Sequence, residues 1–220
     1  DREVSNYEAI ITVPAYFNIK QKNIIKKCAE SVGFTVQKLL NEPTSAALAY
    51  GKYMRVVNDA SVMVFDLGGG TLDISILNIS NDDDIYEVVY TWGHNIGGSD
   101  LTYKIIDYLK TKCDISNNNV FKYVDDMKIK LNGGSNAEYE GVCMTVNEFD
   151  IIAREWSGIF RDFLDDVMSK SGVNDISNIF MVGGSSKLRC VRELLAGYFG
   201  KELGEIVVDG YPLEDIAVAY

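Results

Sequence analysis

Apolar and polar positions alternate first at strand spacing and then at helix spacing. Glu8 to Val13 (EAIITV) is a β-rich run closed by Pro14. Asn18 then stands where a helix cap belongs. Ile24, Ile25, Cys28, Ala29 and Val32 recur at helical spacing, and Gly33 stops the helix. A short strand over Phe34 to Leu40 leads into Asn41-Glu42-Pro43-Thr44, where Pro43 suits the first turn of an alanine-rich helix running to Gly51. This β-α-β-α order predicts a sheet covered by helices. The polar stretch Lys52 to Ala60 marks a boundary between two parts of the chain.

Beyond it, Ser61 to Asp66, Leu72 to Ile79 and Ile85 to Trp92 read as three strands of a meander, the last two joined by the turn Asn81-Asp82-Asp83-Asp84. A helix starts near Ser99 and shows an apolar face at Leu101, Ile105, Ile106 and Leu109. The polar, glycine- and asparagine-rich segment Asp114 to Gly141 predicts a helix over Val120 to Leu131, then a loop and a hairpin. A long helix is expected over Asn147 to Ser171, with Gly158 its weak point. Ile179 to Val182 reads as a buried strand, followed by Gly183-Gly184 and a helix from Ser186 to Phe199. Pro212 to Tyr220 reads as the start of one more helix.

Composition narrows the class. The 220 residues are 47% hydrophobic and 24% charged, which reads as a soluble globular protein with a real core rather than a disordered one. A net charge of −11 argues against general affinity for nucleic acid, and no apolar run reaches the roughly 20 residues that span a bilayer. The four cysteines lie far apart and His94 is the one histidine, so neither a zinc site nor a disulfide framework has support. Buried structural thiols in a reducing compartment are the expectation.

The chemistry concentrates in Val62 to Ile76. Gly68-Gly69-Gly70 lies between two strands, where missing Cβ atoms let backbone N–H groups converge on a phosphate. Asp66 ends the first strand and Asp73 opens the second, so both can hold the water shell of Mg²⁺ or orient a water. There is no Walker loop, and a strand rather than a helix follows the glycines, which excludes a dinucleotide fingerprint. A plain hairpin turn explains the glycines but not the flanking aspartates and Thr71. Gly183-Gly184 offers a second anion site if a helix N-terminus follows it, and Gly97-Gly98 is a third glycine pair after a strand. Glu42 alone reads as a helix-start carboxylate favoured by the dipole.

Taken together, ITVPAYF (Ile11 to Phe17), NEPTSAALAYG (Asn41 to Gly51), FDLGGGTLD (Phe65 to Asp73), IGGSD (Ile96 to Asp100), MVGGSS (Met181 to Ser186) and AVAY (Ala217 to Tyr220) resemble the nucleotide-binding domain of the DnaK-type, 70-kilodalton heat-shock chaperones, in that family's order. The resemblance implies an actin-like ATPase fold with a ribonuclease H-like motif. Residues 1–58 would be the end of the first lobe and 59–220 the second, with a small subdomain inserted at about 101–150. It implies ATP or ADP with Mg²⁺, and K⁺ as an optional companion. Gly68, Gly69, Gly70 and Thr71 match the loop on the phosphates, with Thr71 also in the catalytic set. Asp66 and Asp73 match the carboxylates around the metal's waters, and Glu42 one near the attacking water. Gly97, Gly98, Asp125, Lys128, Gly183, Gly184, Ser185, Lys187 and Asp215 match adenosine and phosphate contacts, and Pro14 a switch proline.

Implied partners are the nucleotide, a peptide-binding domain of the same full-length chain, J-domain co-chaperones and nucleotide exchange factors, with no nucleic acid and no membrane. The implied location is cytoplasmic, an organelle lumen remaining open. The sequence departs from the family pattern around the base: Ile129 and Lys187 stand for stacking cations, Asp125 for a glutamate, Asn132 for a serine, and Ser99 for a glutamate. Lys22 likewise stands for an arginine that relays a signal between domains. A divergent, non-hydrolysing regulator or exchange factor with altered adenine recognition is the alternative reading; a sugar kinase has no use for the chaperone-specific strings. With one phosphate hairpin in place of two, the chain is expected to be an excised segment with little ATPase activity of its own.

Overall fold

The computed structural model describes residues 7–54, 60–80, 85–115 and 118–208. The turn expected at residues 81–84, Asp215 and the helix start at 212–220 lie outside them.

The chain begins as expected. Strands β1 (Tyr7–Val13) and β2 (Phe34–Asn41) pair in parallel from Tyr7↔Phe34 to Val13↔Asn41, with α1 (Ile19–Ser31) between them. A capping box starts α1: Asn18 Oδ1 accepts the Gln21 N–H at 3.0 Å and Gln21 Oε1 accepts the Asn18 N–H at 2.9 Å. The apolar stripe of α1 nevertheless stays uncovered, with no residue of the helix buried and Ile24 59% exposed. Two strands offer too little surface to cover a helix face. Helix α2 (Glu42–Met54) runs three residues past the expected stop at Gly51.

The meander forms β3 (Ala60–Leu67), β4 (Leu72–Ser80) and β5 (Ile85–His94), antiparallel throughout. On the far side of β3 lie β8 (Asn178–Val182) and β9 (Val207–Val208), both parallel, so the sheet order is β5-β4-β3-β8-β9. Between β5 and β8 the chain makes α3 (Gly98–Lys110), α4 (Val120–Asn132), a hairpin of β6 (Ala137–Tyr139) and β7 (Val142–Met144), then α5 (Val146–Gly158) and α6 (Phe160–Ser171). The expected single helix over 147–171 is thus two, interrupted at Ile159 beside Gly158. Ile159 keeps right-handed helical angles, so the interruption is local. After β8, the glycines enter a 3₁₀ turn (Gly184–Lys187) and α7 (Arg189–Phe199), followed by α8 (Leu203–Ile206). The last long helix therefore starts three residues later than the sequence suggests, because Leu188 is extended.

The strands β3, β4 and β8 are buried on both faces, which is why they read as near-continuous apolar runs, whereas the edge strand β5 has no buried residue. Met63, Phe65, Leu67, Leu72, Ile74 and Ile76 face the large core built with α3 to α7. Val62, Val64, Leu77, Phe180 and Val182 face Ala46, Ala47 and Tyr50 of α2. Tyr50 holds that contact twice: its ring stacks on Phe180 at 4.7 Å, and its hydroxyl donates to the Met181 carbonyl at 2.7 Å.

Candidate functional site

The glycine turn after β3 is a backbone platform on which a second glycine segment rests. Within it, the Gly68 N–H donates to the Thr71 carbonyl at 3.0 Å. The Gly98 and Ser99 N–H groups donate to the carbonyls of Gly68 at 3.0 Å and Gly69 at 2.8 Å, locking the start of α3 onto the turn. The approach is so close that a Cβ on Gly97 would lie 2.5 Å from the backbone of Gly69 and Gly70. Gly183 closes the group from the end of β8. Its φ of +82° suits glycine, and a Cβ there would lie 2.5 Å from the Leu67 carbonyl and 2.8 Å from Asp66 Oδ1. Ser185, two residues on, reaches the Gly98 backbone, where a Cβ would meet its Oγ. The three glycine segments thus form one surface.

Strand parity puts the carboxylates together on the α2 face. Asp66 and Asp73 are directly opposed across β3 and β4, and Ser75 and Thr91 continue the same polar row. Glu42, in the first turn of α2, closes a narrow pocket with them, beside Pro14, Tyr16, Pro43 and Ala46. Gly93 opposes Asp73 on β5, and a Cβ there would lie 2.6 Å from Asp73 Oδ1 and 3.3 Å from the Tyr16 ring. None of the three carboxylates is ion-paired among the described residues. Burial pushes Glu42 up to about 7, helped by the charges of Asp66 and Asp73. Burial lifts Asp66 to about 6, and burial plus the Asp66 charge lifts Asp73 to about 6. Tyr16 is raised too, by burial and then by Asp73 and Glu42.

Three half-buried acids facing one another without a cation fit a divalent ion. No group of three or more His, Cys, Asp or Glu among the described residues is placed to ligate one ion directly. Glycine N–H groups and carboxylates set back from them suit an ion that keeps its waters, as Mg²⁺ does.

On the other side of the glycine surface an open pocket of about 520 Å³ lies between α4 and the 3₁₀ turn. Residues Asp125, Lys128, Ile129 and Asn132 of α4 line it, against Gly69, Gly184, Ser185 and Lys187. Lys128 is buried and gives its three bonds to the Gly98 carbonyl (3.0 Å), Thr102 Oγ1 (2.9 Å) and Asp125 Oδ1 (2.6 Å). Burial pushes the Asp125 carboxyl up, but the hydrogen bonds from Lys128 and Thr102 and the Lys128 charge outweigh it and hold it below the usual range.

The sequence-derived residues therefore converge, with two changes. Glu42, Asp66, Asp73, Thr71, the three glycine segments and Ser185 surround one site, and Asp125, Lys128 and Lys187 line the adjoining pocket. The first change concerns Gly183-Gly184, which do not sit at a free helix N-terminus. They enter a 3₁₀ turn, and the first N–H of α7, on Arg189, is taken by Asn132 Oδ1 at 2.8 Å. What the second glycine pair supplies is room, not an α-helix dipole. The second change is an addition: Tyr16, Ser75, Thr91, Gly93 and Thr102 belong to the site and were not singled out. Gly93 had a signal, a glycine inside a β-rich run, which marks a close approach.

The model of the family described as "Hsp70 protein" matches residues 2–219. The chaperone protein HscA of Buchnera aphidicola subsp. Schizaphis graminum is 37% identical over 218 aligned residues, covering 87% of this chain and 33% of the relative. The chain thus spans about a third of the length of that curated relative. No helix among the described residues is long and apolar enough to cross a membrane. A match along nearly its whole length makes this chain a member of the Hsp70 family.

Proposed function

We propose that the chain is the nucleotide-clamping part of a chaperone ATPase, binding Mg–ATP and hydrolysing it within a longer protein. The observation that carries this reading is the stacking of three glycine segments beside three half-buried carboxylates with no ion pair among the described residues. In this reading the five-stranded sheet is the ribonuclease H-like centre of the second lobe of an actin-like fold, beginning near residue 59. The β1-α1-β2 unit would end the first lobe, and α3, α4 and the hairpin would be the inserted subdomain at about 101–150.

The work falls to electrostatics and positioning. N–H groups of Gly69, Gly70 and Thr71 would hold phosphate oxygens, with Thr71 Oγ1 beside them. Asp66 and Asp73 would hold Mg²⁺ through its waters, and the ion would supply neutralisation of the phosphate charge. Glu42, raised to about 7, is suited to orient a water and share its proton near neutral pH. Pro14 lines the same pocket as these carboxylates, a position from which the nucleotide state could be passed to β1. Coupling to a peptide-binding domain, J-domain partners and exchange factors belongs to the same proposal.

Calorimetry of the chain with Mg–ATP, and with ATP in EDTA, tests the reading. Binding should require Mg²⁺, and Gly97→Val should weaken it at least tenfold by forcing α3 off the glycine turn. Unchanged affinity in the folded variant, or no binding by the parent chain, would overturn it.

A further inference from the structure

Ser75 and Thr91 are cross-strand partners on β4 and β5, and the Ser75 hydroxyl donates to Thr91 Oγ1 at 3.2 Å. Two hydroxyls that only satisfy each other offset the cost of their burial and gain little on a face where Val64 and Leu77 are apolar. What sets the pair apart is where it leads. Both residues line the narrow pocket of Glu42, Asp66 and Asp73, and Thr91 also lines an open pocket of about 610 Å³ beside β5. Resting on the nucleotide reading above, we propose that Ser75 and Thr91 form the exit path for the proton released by hydrolysis, from Glu42 to the water of the open pocket.

Hydrolysis joins a water oxygen to the γ-phosphorus and breaks the bond from that phosphorus to the bridging oxygen. One proton of the attacking water passes to Glu42. It must then leave a pocket walled by Pro14, Pro43, Ala46 and Val64, in which Asp66 and Asp73 are the other acids and Tyr16 the phenol. At about 10 Å³ the pocket is at the lower limit for a single water, and one water there joins Glu42 to Ser75. From that point the hop follows the bond already in place. Ser75 Oγ takes a proton from the water and passes its own to Thr91 Oγ1, and Thr91 gives its own to the open pocket. One proton has moved outward, each hydroxyl has regained one, and no electron changes hands. His94 lines the open pocket, its ring held against Trp92 and Phe163, so a base stands near the exit. Ser75 and Thr91 are positioning residues here, since they act through Glu42.

Single-turnover hydrolysis of Mg–ATP by the full-length protein tests this at about pH 8, above the second ionisation of phosphate. Acid quench reads cleavage, a phosphate sensor reads release, and a pH indicator reads the proton. In the parent, the proton should appear with cleavage, ahead of phosphate release. Thr91→Val keeps the shape and removes the hydroxyl. Its cleavage should slow about fivefold or more, because a proton left on Glu42 can return, and its proton should appear only with phosphate release. Thr91→Ser should restore the early proton, and Ser75→Ala should delay it as Thr91→Val does. An early proton in folded Thr91→Val would overturn the inference and assign the path to Asp73 or Tyr16, which also border both pockets. A late proton in the parent would overturn it while leaving the nucleotide site standing, and that measurement decides even if the variants are too unstable to study. Absence of Mg–ATP binding by the parent would overturn the site and the inference together.

Discussion

Asp66 and Asp73 face each other across β3 and β4, and like charges directly opposed on a sheet repel. Their carboxyls sit near 6 and Glu42 near 7, all above their ordinary values because burial favours the neutral form. A group with a raised folded pKa gives its full contribution to stability below its unfolded value and loses it as pH rises through the folded value. Without metal, this cluster should therefore destabilise the chain progressively from about pH 4 to pH 7 and no further above that. In EDTA, Asp66→Asn is expected to raise Tm at pH 7.5 by about 3 °C and to leave it nearly unchanged at pH 4, read by thermal scans at both pH values. A lower Tm at pH 7.5 would show that the charge is compensated within the chain. Glycines separate in the same residue-by-residue way. Gly183→Ala should cost about 2 kcal/mol or more, since it combines a φ of +82° with a backbone carbonyl 2.5 Å from the new atom. Gly197, in α7 with open space around it, should gain about 0.5–1 kcal/mol as Gly197→Ala. Urea denaturation of the two variants checks both signs.

Among the elements, the meander and the helices flanking it follow from the pattern, because strand period and helix period differ sharply there. The four apolar positions expected on one face of α3 are all buried. The ends of elements were less legible, since they depend on caps that a period does not show. Helix α5 begins at Val146 on a capping box: Thr145 Oγ1 accepts the Glu148 N–H at 3.3 Å, and Glu148 Oε2 accepts the Thr145 N–H at 2.8 Å. Asn147, taken from the sequence as the start, lies inside the helix. Thr145→Ala should cost about 1 kcal/mol in denaturant unfolding, with no change in slope. The start of α7 was misplaced for a related reason. Ser185 and Ser186 look like helix caps, yet Leu188 is extended, and the 3₁₀ turn is fixed by the Ser186 hydroxyl donating to the Gly183 carbonyl at 2.7 Å. A tertiary demand, keeping Ser185 against Gly98, overrides the local preference.

At the scale of the whole molecule, the site joins parts that are far apart in sequence. The glycine runs and the aspartates were legible because their residue types break strand rules without structural reward. Tyr16 and Thr102 were not, since a tyrosine or threonine acquires meaning only from what the fold sets beside it. The long-range link that matters most is α2, which carries Glu42 at its start and Tyr50 two turns later, roughly 12 Å along the axis. Tyr50 fixes the helix to β8 by its stack on Phe180 and its bond to the Met181 carbonyl, and we expect this anchor to set how deeply Glu42 enters the carboxylate pocket. Tyr50→Phe keeps the stack and loses one hydrogen bond, at a cost of about 1 kcal/mol, and Glu42 should still titrate near 7. Tyr50→Ala removes the whole anchor. The cavity should cost about 3–5 kcal/mol, and in the folded fraction α2 should lift at its site end. Glu42 would then gain water, move away from Asp66 and Asp73, and titrate closer to 4.5. Carboxyl ¹³C shifts followed from pH 3 to 9 separate these outcomes. An unchanged Glu42 titration in folded Tyr50→Ala would mean that the first turn of α2 is held in place by its own neighbours at Pro14 and Ala46, not by the anchor on β8.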